Sequence, residues 1–187
     1  ILVVTDFSEL GGHALARAAL LGAEHRAALQ LVYLSAPGEV PPPDVAVRLS
    51  HHALQLRQRH QIAVQAVSRV DCTVADIARA AAAHDLVVWG TAPQRGLRAW
   101  WGTHPALQLL RACQRPVVVV RNAADQTYQS LLVAVDFSQA SHRLVELGLA
   151  LHPRARVELF HAISTANEGK LRYAEVSERA IQIYREQ

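Results

Sequence analysis

Five short apolar runs, each followed by a turn and separated by segments of helical period, restrict the fold of this chain more than any other feature. The runs are ILVV at 1–4, ALQLVYL at 28–34, IAVQAVSRV at 62–70, DLVVWG at 85–90 and PVVVVR at 116–121. Between the first two, Ser8 opens a pattern with apolar residues at Leu10, Ala14, Ala18 and Leu21, the spacing of one helical face. A helix is expected over 44–60, after the proline-rich loop APGEVPPP, whose prolines cannot join a ladder. TVADIARAAAAH supplies a third helix, with Thr73 as N-cap and Asp76 three residues on, the spacing of a capping box. PALQLLRACQ supplies the last. Strands that alternate with helices and are apolar on both faces predict an α/β fold: an open, doubly wound, five-stranded parallel sheet, Rossmann-like and nucleotide-binding-like.

The pattern then begins again. After the polar segment NAADQTYQS at 122–130, LLVAVDFSQ restates ILVVTDFSE, with five of the eight residues from Ile1 to Ser8 identical at an offset of 130. The offset becomes 129 if His13 is set on His142, and 128 if Leu31 is set on Leu159. YAEVSERAIQIYREQ would be the second helix of the repeat. The expected organisation is a complete domain over 1–121, a linker over 122–130 and the first half of a second such domain over 131–187. Half a parallel sheet exposes a central strand's edge and an apolar face. The second unit is therefore expected to be a piece of a longer domain, or to be completed by a partner chain, and the lack of any methionine points either to a trimmed chain or to lost methionine positions.

Composition narrows the function classes. With 51% hydrophobic residues in a chain of 187, a sizeable core forms and disorder is excluded. The net charge of +3 comes from 19 basic residues scattered among 16 acids, a solvated surface rather than a nucleic-acid footprint. No apolar run approaches the roughly 20 residues that cross a bilayer. Cys72 and Cys113 have no metal or disulfide spacing, so a reducing compartment, the cytoplasm, is expected. His51, His52 and His60 read as a solvated helix face, and no Ser, His and Asp set can be assembled.

In an open parallel sheet, ligands lie beyond the carboxyl ends of the strands where the strand order reverses, here between the first and fourth strands. Asp6 and Gly90 end those strands, so Asp6, Phe7 and Ser8 face a basic glycine loop running from Gly90 through Thr91, Arg95, Gly96 and Arg98 to Gly102 and Thr103. Asp6 suits an adenine amino group or a ribose hydroxyl; equally, it suits a local turn before the helix. Gly90, Gly96 and Gly102 permit close backbone approach, and Gly102 and Thr103 precede a helix whose free amides suit phosphate. The same glycines also serve tight turns. Trp100 and Trp101 read as packing or interface residues.

VVTDFS and VAVDFS at the two first strands, DLVVWGT at the fourth, the glycine loop and RPVVVVR at the fifth together resemble the universal stress proteins, in their tandem two-domain form. The resemblance implies a non-catalytic stress-response module that binds ATP or another adenine nucleotide in its first domain, with nucleotide-associated magnesium as the only metal. It also implies self-association through the fifth-strand edge, or pairing of domains within a chain. The site it implies comprises Asp6, Phe7, Gly90, Thr91, Gly96, Gly102 and Thr103. Three features depart from the nucleotide-binding pattern. Pro93 replaces the second loop glycine and lacks its amide donor, the loop is one residue short between Pro93 and Gly102, and Pro105 removes one more donor. These departures favour an alternative, a nucleotide-free interaction or dimerisation module of the same fold.

Overall fold

The computed structural model of the protein describes residues 1–35, 40–67, 73–90 and 105–162. The chain divides into two compact units, Ile1–Thr127 and Tyr128–Gln187. In the first, β1 (Leu2–Thr5), α1 (Glu9–His25), β2 (Leu29–Tyr33), α2 (Val45–His60), β3 (Val64–Val67), α3 (Val74–Ala81), β4 (Val87–Gly90), α4 (Pro105–Ala112) and β5 (Val117–Val120) follow one another. All five strands pair in parallel in the order β3-β2-β1-β4-β5. The expected doubly wound sheet is therefore present, and the strand order reverses between β1 and β4, where Val3 is level with Val88.

Alternation along β1 divides the core between the two faces of the sheet. Leu2 and Val4 join Val87, Trp89, Ile77 of α3 and Leu109 of α4 in one buried cluster. Val3, Leu31 and Val88, each without exposed surface, point the other way, where α1 packs on β1 and β4 and α2 packs on β2 and β3. Burying a side chain of this size stabilises by about 1.5–3 kcal/mol, so both faces resist substitution.

Local chemistry sets the helix starts. The Ser8 hydroxyl accepts from the Gly11 amide at 3.1 Å and begins α1. Thr73 and Asp76 form the expected capping box, with the Thr73 amide donating to Asp76 Oδ2 at 3.0 Å and the Asp76 amide donating to Thr73 Oγ1 at 3.2 Å. α2 begins one residue later than expected because Asp44 is its N-cap, without a side-chain capping bond. α1 and α2 end at Arg26 and Gln61, both left-handed with φ of 52° and 53°, the usual way a helix stops. Among the described residues no helix is long and apolar enough to cross a membrane.

The second unit comprises β6 (Ser130–Ala134), α5 (Gln139–Leu151) and β7 (Arg156–Phe160), with β6 and β7 parallel. It matches an incomplete copy of the first. Leu2 pairs with Gln30 and Leu132 pairs with Glu158, so the offset is 130 on the first strand and 128 on the second, as setting Leu31 on Leu159 requires. The alignment of His13 with His142 is not where the shortening lies. Ser138 caps Ser141 as Ser8 caps Gly11, which keeps the offset at 130 through the first helical turn. The loss falls later, α5 having 13 residues against 17 in α1. The proposed second helix of this unit lies outside the described residues.

Candidate functional site

Asp6 follows β1 directly and is exposed, at the carboxyl end of the strand where the order reverses. Its Oδ1 accepts from the Ser8 amide at 2.9 Å and from the Ser8 hydroxyl, an Asx turn that leads into α1. The turn reading of Asp6 is thus met by one atom of its carboxylate. Oδ1 serves the turn, and among the described residues Oδ2 has no partner.

Phe7 lies between these groups in the left-handed region, at φ 60°, a conformation that costs a non-glycine residue about 1–3 kcal/mol. Its amide donates to Thr5 Oγ1 at 3.1 Å. Its ring stacks on Tyr33 at the end of β2, with centroids 4.9 Å apart, and on His52 of α2 at 5.8 Å. The Arg48 guanidinium lies 4.0 Å from the centre of the same ring. An aromatic pair contributes about 0.5–1.5 kcal/mol and a cation over a ring about 0.5–1 kcal/mol, enough together to offset the backbone cost. Arg48 and His52 sit four residues apart on α2, so both reach one point on its inner side. His52 is half-buried, not part of a wholly solvated face, and its pKa lies below the ordinary imidazole value, first through burial and then through His51 and Arg48.

Gly90 ends β4, buried, and its position has a packing reason. A Cβ there would stand 1.9 Å from the Leu10 carbonyl oxygen and 3.0 Å from the Gly11 amide nitrogen. The first turn of α1 can lie against β4 only because residue 90 has no side chain. Thr91, Gly96, Gly102 and Thr103 lie outside the described residues, as do Pro93, Trp100, Trp101 and Cys72. The structure therefore brings Asp6, Phe7 and Gly90 together around the start of α1.

Sequence reasoning did not single out Tyr33, Arg48, Thr5 or Gly11. The one available signal was the i, i+4 spacing of Arg48 and His52 behind an aromatic strand end.

The second unit repeats the turn with different partners. Phe137 has φ 61° and its ring lies 4.7 Å from that of His161. Asp136 Oδ1 accepts from the Ser138 amide at 3.0 Å and from the Ser141 hydroxyl. The Ser138 side chain, then Ser141, holds this carboxylate well below the usual range. An open cavity of about 330 Å³ adjoins Asp136, Ser141, Phe160 and His161.

A larger cavity, about 910 Å³, opens at the opposite end of the first sheet beside Ala28, Arg57, Val64 and Asp85. It does not lie at the carboxyl ends of the strands, and the Arg57 side chain there is already bonded to the Val64 carbonyl at 2.6 Å through Nε. Among the described residues no group of three or more His, Cys, Asp or Glu could hold a metal ion. Cys113 is a free thiol.

Residues 1–121 match the model of the universal stress protein family. A universal stress protein from Archaeoglobus fulgidus aligns over 98% of this chain and 73% of its own, at 15% identity and a TM-score of 0.63. Another, solved in complex with cAMP, aligns over 64% of this chain and 94% of its own at 17% identity and a TM-score of 0.50. A family protein from Burkholderia pseudomallei is 25% identical over 65% of this chain and 94% of its own, with a TM-score of 0.43. Comparison with curated proteins gives no match.

Proposed function

The chain belongs to the universal stress protein family, and from that premise we propose that its first unit is a non-catalytic stress-response module that binds ATP or another adenine nucleotide. The observation that carries this reading is the Asp6 carboxylate. It stands where the strand order of a parallel sheet reverses, the usual ligand position in such sheets, with Oδ1 fixed by Ser8 and Oδ2 available to an amino or hydroxyl donor. The family protein solved with cAMP supports the same class of ligand. On this reading Thr91, Gly96, Gly102 and Thr103 surround the phosphates beyond Gly90, and magnesium arrives with the nucleotide rather than on a protein site.

Calorimetric titration of the full chain with ATP and with cAMP tests the reading. Saturable binding is expected, weakened about tenfold or more in D6A, because a hydrogen bond to a charged group contributes about 1.5–3 kcal/mol. No saturable binding at millimolar nucleotide overturns it.

A second reading has its own support. Gly90 is fully accounted for by the approach of α1, so this loop glycine requires no phosphate. Val119 is 37% exposed on the edge strand β5, as a self-associating edge would be. A nucleotide-free interaction module predicts a dimer in light scattering that V119K dissociates.

A further inference from the structure

We propose that Tyr33 is a positioning residue for the Asp6 carboxylate, acting through the ring of Phe7. The proposal rests on the nucleotide reading above and names what aims the group that reading depends on. Four described non-glycine residues have positive φ: Arg26, Gln61, Phe7 and Phe137. The first two end helices, where the left-handed conformation is ordinary. The two phenylalanines end no helix. They occupy the same place in the repeat, directly after Asp6 and Asp136.

What the two turns share beyond the chain itself is a ring at the end of the next strand. Thr5 is level with Tyr33 in the first unit. In the second, the register that sets Ala134 level with Phe160 places His161 at the position of Tyr33. Tyr33 lies 4.9 Å from Phe7, and His161 lies 4.7 Å from Phe137. Tyrosine and histidine have no hydroxyl in common, so the retained element is the ring contact. Asp6 and Phe7 share a peptide bond, and the Ser8 amide returns to Asp6 Oδ1 across Phe7. Fixing φ at Phe7 therefore fixes where the Ser8 amide meets the carboxylate, so that one oxygen closes the turn and the other is left outward.

Two readouts on the full chain test this: ATP affinity by calorimetry, and exchange of the Ser8 amide proton by NMR, with the Leu31 and Val32 amides of β2 as a control for the fold. Y33F keeps the ring and is expected to keep both wild-type values. Y33L is expected to lower ATP affinity and Ser8 protection about tenfold each while β2 stays protected. F7G reaches the same φ without strain but has no ring, and is expected to lose the same protection; it also carries the test if Y33L does not fold. Wild-type Ser8 protection in folded Y33L, or wild-type protection and affinity in F7G, overturns the proposal. If the wild-type chain fails to bind ATP, the nucleotide reading fails separately, and Ser8 exchange alone decides whether Tyr33 sets the turn.

Discussion

Thr5 Oγ1 lies 2.6 Å from where a Cβ on Gly11 would stand, so the strand hydroxyl fills the space that the helix residue leaves open. One repeat later the arrangement is inverted. Val135 replaces Thr5 and Ser141 replaces Gly11, and the Ser141 hydroxyl now accepts from the Asp136 amide at 2.9 Å and donates to its carboxylate. Each turn between first strand and first helix thus holds one such hydroxyl, drawn from the strand in one unit and from the helix in the other. Among the described residues the Asp6 carboxylate consequently takes its bonds from Ser8 alone, whereas Asp136 is engaged by two serines.

This exchange predicts strong coupling between positions 5 and 11. T5V strands the Phe7 amide, and G11S drives a side chain against Thr5 and Asp6, so each single variant is expected to lose about 1–3 kcal/mol. The double variant T5V/G11S reproduces the pairing of the second unit and is expected to recover about 1–2 kcal/mol of the summed loss. Urea unfolding of the four proteins of the cycle measures it. Additive losses would mean that the two positions do not share the space.

Gly12 and Gly90 are expected to respond in opposite directions. Nothing lies within 4 Å of a Cβ built on Gly12, and its place inside α1 makes G12A stabilising by about 0.5–1 kcal/mol. G90A sets a methyl 1.9 Å from the Leu10 carbonyl oxygen, a backbone atom that moves only with the helix, and is expected to cost about 3 kcal/mol or more. Thermal midpoints of the two variants check both signs.

The elements legible in the sequence are those whose signals are local. β-branched runs gave five strands, a serine and a threonine gave the starts of α1 and α3, and Asp76 gave its capping box, since each depends on residues within one turn. Strand ends were less legible. The second run was expected over 28–34, yet β2 is Leu29–Tyr33, because where a ladder stops depends on the length of its neighbours. The site divides in the same way. Asp6 and Gly90 were placed by topology alone, as strand ends at the order reversal. The stack of Tyr33, His52 and Arg48 on Phe7 depends on how α2, packed on β2 and β3, reaches the turn after β1, and the packing reason for Gly90 depends on the approach of α1 to β4. Both are long-range distances, of which the i, i+4 spacing of Arg48 and His52 is the one local trace.

Acid sensitivity near the start of α3 follows from Asp76. The Thr73 hydroxyl, then the Thr73 amide, then Arg79 lower its pKa to about 2. A carboxylate depressed in the folded state contributes stability that is complete above its unfolded value, near 3.9, and is lost as pH falls through the folded value. D76N is therefore expected to be less stable than wild type at neutral pH, with the difference closing between about pH 4 and 2. Denaturant midpoints measured across that range test it, and a gap that stays constant into acid would remove Asp76 from the account.

His52 gives a second pH dependence in a higher window. Burial against Phe7 comes first, followed by the charges of His51 and Arg48, and together they set its pKa below the ordinary 6.5. A histidine depressed in the folded state contributes stability that is complete above about 6.5 and is lost as pH falls through the lowered value, because the unfolded chain takes up the proton more readily. Acidification thus brings a second cation to a ring already faced by Arg48, on a helix, α2, that contains no acid. H52F keeps a ring on Phe7 without the charge. Its urea midpoint is expected to fall less steeply than that of wild type as pH drops from about 6.5, because both His52 and its repulsion with His51 are removed. Parallel profiles would show that protonation of His52 does not account for the pH dependence.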